Sequence, residues 1–93
     1  MALDNYFDKV RGYHPGILTN VARVLLNAKC TSPERTMTLS QIRVGYRLLT
    51  EDKFPSMADP RVEMLFLLLI PFVACFTNKH GTYHFYITRL KES

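Results

Sequence analysis

Tryptophan is missing from this 93-residue chain, and cysteine occurs only twice, at Cys30 and Cys75. A secreted domain this small usually supplements a limited core with two or more disulfides. Two cysteines set far apart in apolar segments read instead as buried free thiols in a reducing compartment, cytoplasmic or nuclear. A leader is not expected either. The opening MALDNYFDKV carries Asp4 and Asp8 and no apolar stretch, so no signal peptide is expected. Glycine is scarce, at four residues, and there is no Gly-rich phosphate loop, dinucleotide fingerprint or pair of catalytic carboxylates. These absences argue for a non-catalytic chain with no cofactor and no metal.

Long apolar runs are lacking too. The longest, Met64 to Phe76 (MLFLLLIPFVACF), has thirteen residues, whereas a spanning helix needs about 17–25. Pro71 interrupts it and the residues beyond alternate like a strand, so no membrane span is expected. Basic clusters are equally absent, although Lys and Arg outnumber Asp and Glu by 12 to 8 and leave a net charge of +4. That excess fits an acidic partner such as nucleic acid, and fits a well-solvated surface equally.

What the chain does have is apolar bulk. With 47% hydrophobic and 12% aromatic residues, it can fill one core, and its length allows only one. The whole of 1–93 therefore reads as a single α+β domain. Its parts are an N-terminal arm or short helix over 1–13, a helical unit over 15–70 and a β-hairpin over 72–90.

Within the helical unit, Ile17, Leu18, Val21, Val24, Leu25 and Ala28 form one stripe at helical period. Thr31-Ser32-Pro33 stops that helix. Thr36-Met37-Thr38 is a short extended piece. Thr38 and Gln41 have capping-box spacing, opening a helix with Leu39, Ile42, Tyr46 and Leu49 on one face. Asp59-Pro60 starts the last helix, to about residue 70, with Val62, Leu65, Phe66 and Leu69 facing the core. In the hairpin, a four-residue loop from Asn78 to Gly81 would pair Thr77 with Thr82 and set Cys75 opposite His84. Phe72, Ala74, Phe76, Tyr83, Phe85 and Ile87 would then face the core.

This order of helix, extended piece, helix, helix and hairpin, over roughly Ile17 to Leu90, resembles a winged helix-turn-helix domain. The resemblance lies in element order alone. It implies DNA contact through the third helix and the hairpin loop, but two features depart from the family. The link from Glu51 to Asp59 is longer than the usual turn. The third helix, RVEMLFLLLI, offers only Arg61 and Glu63 where base reading needs Arg, Lys, Asn or Gln.

Three groups of residues are candidates for function. Cys75, His80 and His84 lack a second nearby cysteine for a zinc pattern and an orienting acid for a catalytic couple, so Cys75 opposite His84 reads first as a small hydrophobe beside a histidine. A basic set of Arg35, Arg43, Arg47, Lys79, His80 and Arg89, with Lys91 beyond, suits phosphate contact, Arg43 and Arg47 being one helical turn apart. It suits a solvated rim as well. Met64, Leu67, Leu68, Val73 and Tyr86 exceed what so small a core needs, and such a surplus marks either core filling or a protein interface. The expectation is a protein-interaction module, self-associating as a homodimer through the apolar 60–76 segment. The alternative is a winged-helix-type nucleic-acid binder using Arg43, Arg47 and Lys79.

Overall fold

A computed structural model describes residues 2–57 and 59–88. They form four helices, α1 (Ala2–Tyr13), α2 (Ile17–Asn27), α3 (Leu39–Thr50) and α4 (Pro60–Leu67). Three strands accompany them: β1 (Met37–Thr38), β2 (Val73–Thr77) and β3 (Tyr83–Ile87). The class is mixed α+β, as the sequence implies, and compatible with a winged-helix-like arrangement. The sheet is antiparallel in the order β1-β3-β2. The short extended piece thus becomes a third strand, with Met37 opposite Phe85 and Thr38 opposite His84.

Each helix start follows from its local chemistry. Gly16 enters α2 at φ +82°, a conformation a side chain would oppose. Ile17, Val21, Val24 and Leu25 are buried along α2. The helix ends at Asn27, before the Thr31-Ser32-Pro33 stop. Lys29 turns left-handed and the Cys30 N–H reaches back 2.9 Å to the Leu25 carbonyl, which satisfies an orphan acceptor. The capping box of α3 is present. The Thr38 hydroxyl accepts from the Gln41 N–H, and the Gln41 amide oxygen accepts from the Thr38 N–H at 2.9 Å. Midway along α3, a Cβ on Gly45 would lie 2.6 Å from Val24 Cγ1. Glycine there allows α2 and α3 to touch.

Asp59 caps α4 by accepting from the Val62 N–H at 3.0 Å, but the helix ends at Leu67. Pro71 disfavours helical backbone at Ile70, and the chain tightens first, with Leu69 and Ile70 donating to Phe66 and Leu67. The core face of α4 also differs from the expected one. Glu63, Phe66, Leu67 and Ile70 are buried, whereas Leu65, Leu68 and Leu69 are exposed. The helix is turned about one position from the expected face, and Glu63 is buried with the hydrogen-bond partners described below.

The hairpin register differs as well. Thr77 faces Tyr83, Cys75 faces Phe85 and Val73 faces Ile87. The Asn78 side-chain oxygen accepts from the His80 and Thr82 N–H groups at 2.9 and 3.0 Å, which takes Thr82 into the loop. A one-residue slip moves every side chain of one strand to the other face. Val73 and Cys75, not Ala74 and Phe76, therefore pack against the core with Tyr83, while Phe85 and Ile87 are buried as expected.

The core draws on every helix. Phe7 of α1 lies 5.1 Å from the Phe66 ring of α4, and Tyr46 of α3 meets Phe54 edge-on at 5.3 Å. The N-terminal segment is thus a packed helix and not an arm. Among the described residues no helix is long and apolar enough to cross a membrane.

Candidate interaction surfaces

The basic residues divide by environment. Arg43 donates to Glu63, whose second carboxylate oxygen accepts from the Met57 N–H at 3.3 Å. Glu63 is 1% exposed, and a carboxylate so placed requires partners because desolvating an unpaired charge is expensive. Arg43 is therefore held by the fold. Beside it, Arg47 and Lys53 are exposed, and the three cations line a concavity of about 300 Å³ with Phe54 and Ser56. Lys53 was not among the residues singled out from sequence. It lies in the loop after α3, and only the fold brings it near Arg47. Arg35 is exposed in the turn before β1, where its N–H bonds the Ser32 carbonyl. Lys79 and His80 are exposed in the hairpin loop. Arg89 and Lys91 lie outside the described residues.

His84 and Cys75 occupy opposite faces of the sheet, so the juxtaposition expected from the four-residue loop does not form. Both ring nitrogens of His84 have partners, Thr36 Oγ1 at 3.0 Å from Nδ1 and Asn78 Nδ2 at 3.2 Å from Nε2. The Asn78 oxygen already accepts two backbone bonds, so its NH2 donates to Nε2 and leaves the proton on Nδ1. Phe76 stacks on the imidazole, 5.3 Å away at 13°. Burial pushes both thiols above their ordinary range. Arg35 partly offsets this at Cys30, and a backbone bond from His84 does so at Cys75.

Two apolar surfaces stay open. On α3, Val44 and Leu48 project into solvent, Leu48 being 79% exposed, beside a groove of about 550 Å³ between α2, β1 and α3. Their i, i+4 spacing off the main stripe was the signal for them in the sequence. The second surface is the 60–76 segment. Leu67 is fully buried, and Met64 and Val73 are half-buried against the core. Tyr86 is half-buried on the outer sheet face, its ring 6.5 Å from Phe76. Leu65, Leu68, Leu69, Phe72 and Phe76 are the large apolar side chains this segment exposes.

Phe72 is 57% exposed and sits at φ +72° in a turn after Pro71, closed by the Val73 N–H on the Ile70 carbonyl at 3.2 Å. That is the pattern of a type II turn, whose third position ordinarily takes glycine. No protein-family model matches the chain, and no curated protein matches it.

Proposed function

We propose that this chain is a non-catalytic protein-interaction module that associates with a second copy of itself through the 60–76 surface. One observation carries the reading: five large apolar side chains, Leu65, Leu68, Leu69, Phe72 and Phe76, stand 37–57% exposed within twelve residues. Exposed clusters of this kind are uncommon on proteins that stay single. A bulky aromatic in a left-handed turn adds support, because such backbone strain gathers where it serves a function. The absence of catalysis is inferred from the engaged nitrogens of His84 and its separation from Cys75. The element order α2-β1-α3-α4-β2-β3, with β1 against β3, is read as winged-helix-like. In that arrangement α4 takes the reading-helix place, and exposed Leu65, with Leu68 and Leu69 just beyond the helix, favours protein over base edges.

Light scattering tests this directly. The expected result is a dimer at micromolar concentration that Leu68→Asp with Leu69→Asp converts to monomer without loss of helical signal. A monomeric parent at high micromolar concentration would overturn the reading.

A second reading, phosphate contact by nucleic acid, is favoured by the convergence of Arg43, Arg47 and Lys53 on one concavity. Its mark is affinity for duplex or single strands that falls steeply with salt and weakens in Arg47→Ala with Lys53→Ala. No binding at low salt excludes it.

A further inference from the structure

We infer that β2 is the dimer seam, pairing edge to edge and antiparallel with β2 of a second copy about a two-fold axis at Cys75. The inference rests on the self-association proposed above and names the contact that performs it. β2 lies at the edge of the sheet, since the order is β1-β3-β2. Folded proteins commonly guard such edges with charge, proline or a covering segment. The sequence of β2, VACFT, holds neither charge nor proline.

The direction of its backbone groups follows from the bonds at either end. Thr88 donates to the Phe72 carbonyl, and Asn78 donates to the Thr82 carbonyl. Hydrogen-bonded pairs recur at every second residue along an antiparallel ladder. Even-numbered residues Ala74 and Phe76 thus direct their N–H and C=O at β3. Val73, Cys75 and Thr77 direct theirs at the open edge. Val73 has already given its N–H to Ile70. Among the described residues, the Val73 carbonyl and both groups of Cys75 and Thr77 have no other backbone partner.

These groups are complementary to themselves. With Cys75 opposite its own copy, Val73 faces Thr77 of the second chain. Each Cys75 N–H then meets the other Cys75 carbonyl, and each Thr77 N–H meets a Val73 carbonyl. Shifting the register by two residues either way brings Pro71 or the hairpin loop to the seam. On the outer face the same register sets Ala74 against Phe76 of the second chain, a small side chain beside a large one. Phe76 and Tyr86 then continue as one aromatic surface across the axis. The result is a six-stranded sheet.

Two measurements decide it. Thr77→Pro removes only an outward N–H, which an edge position tolerates. It should leave the circular dichroism unchanged and make the protein monomeric. In a Cys30→Ser background, a short bis-methanethiosulfonate should couple the two Cys75 thiols, because directly opposed residues of such a pair lie about 5.5 Å apart at Cα. A dimer that persists in Thr77→Pro, or that stays uncoupled at Cys75, overturns the seam. If that dimer still dissociates with Leu68→Asp and Leu69→Asp, apolar self-association stands without the seam. A monomeric parent overturns both. Should Thr77→Pro unfold, coupling at Cys75 in the dimeric Cys30→Ser protein decides alone.

Discussion

Arg43 on α3 holds Glu63 on α4, and Glu63 is the only charged side chain buried in the core among the described residues. The pair joins two helices that share little other polar contact. Removing one member of a buried pair costs about 3–5 kcal/mol. Here water reaches the half-exposed guanidinium, which lowers the expectation to about 2–3 kcal/mol. Arg43→Met should therefore lower the unfolding free energy read from urea denaturation by that amount. Adding Glu63→Leu should restore all but about 1 kcal/mol, the share of a Met57 N–H left without an acceptor. If Arg43→Met alone proves neutral, the pair does not hold α4 in place.

Gly45 gives a second, independent test. An exposed helical glycine replaced by alanine ordinarily gains about 0.5–1 kcal/mol. At Gly45 the added Cβ would lie 2.6 Å from Val24 Cγ1, so overpacking should dominate. The expected outcome is a loss of about 1–3 kcal/mol. Val24→Ala, which makes room, should recover part of it, and thermal melting of the two single variants and the double variant measures the coupling.

These two contacts also show where sequence reasoning stops. Local signals carried far: the capping box at Thr38 and Gln41, the Asp59-Pro60 start and the stripe of α2 are each decided within a few neighbouring residues, and each is present. The burial of Glu63 was not legible because Arg43 lies twenty residues upstream, and nothing local in the helix brings that guanidinium and the Met57 N–H near it. The hairpin register failed for a similar reason. Whether Thr82 belongs to strand or loop depends on the Asn78 side chain, which accepts two backbone bonds. The exposed Val44 and Leu48 were visible as an i, i+4 pair, but their exposure depends on which face of α3 the core takes. Of the five large apolar side chains exposed between Leu65 and Phe76, only Leu68 was among those singled out from the sequence, because exposure of the others depends on the turn of α4 and the hairpin register.

The thiols and Tyr46 predict a response to alkali. Burial raises Cys30 and Cys75 above 9.0 and Tyr46 above 10.0, Asp52 adding to the effect at Tyr46. The folded state thus holds these protons more tightly than the unfolded chain does. Their contribution to stability is fully present below about pH 9 and is lost as pH rises through the folded values. Urea midpoints should fall as pH rises above about 9, and Tyr46→Phe should remove the part of that fall above about pH 10. A Tyr46→Phe protein with the full alkaline loss would assign it to other groups. Cys30, being buried, should also react with a thiol reagent more slowly than Cys75, at a rate set by local opening.

Phe72 separates the needs of the fold from the needs of association. At φ +72° a side chain is strained by roughly 1–2 kcal/mol, while glycine is not. Phe72→Ala keeps the strain and loses the ring; Phe72→Gly loses both. Glycine also makes the unfolded chain freer, which offsets about 0.5–1 kcal/mol of the relief. The glycine variant should therefore be more stable than the alanine variant by about 0.5–1 kcal/mol, read from denaturation at a concentration where both are monomeric. Both should associate more weakly than the parent, since each lacks the exposed ring. If the two variants associate as tightly as the parent, the ring has no part in the interface and its strained turn serves the fold alone. If alanine proves the more stable, the turn does not hold residue 72 in the left-handed region. The two readouts are independent, so either half of the expectation can fail without the other.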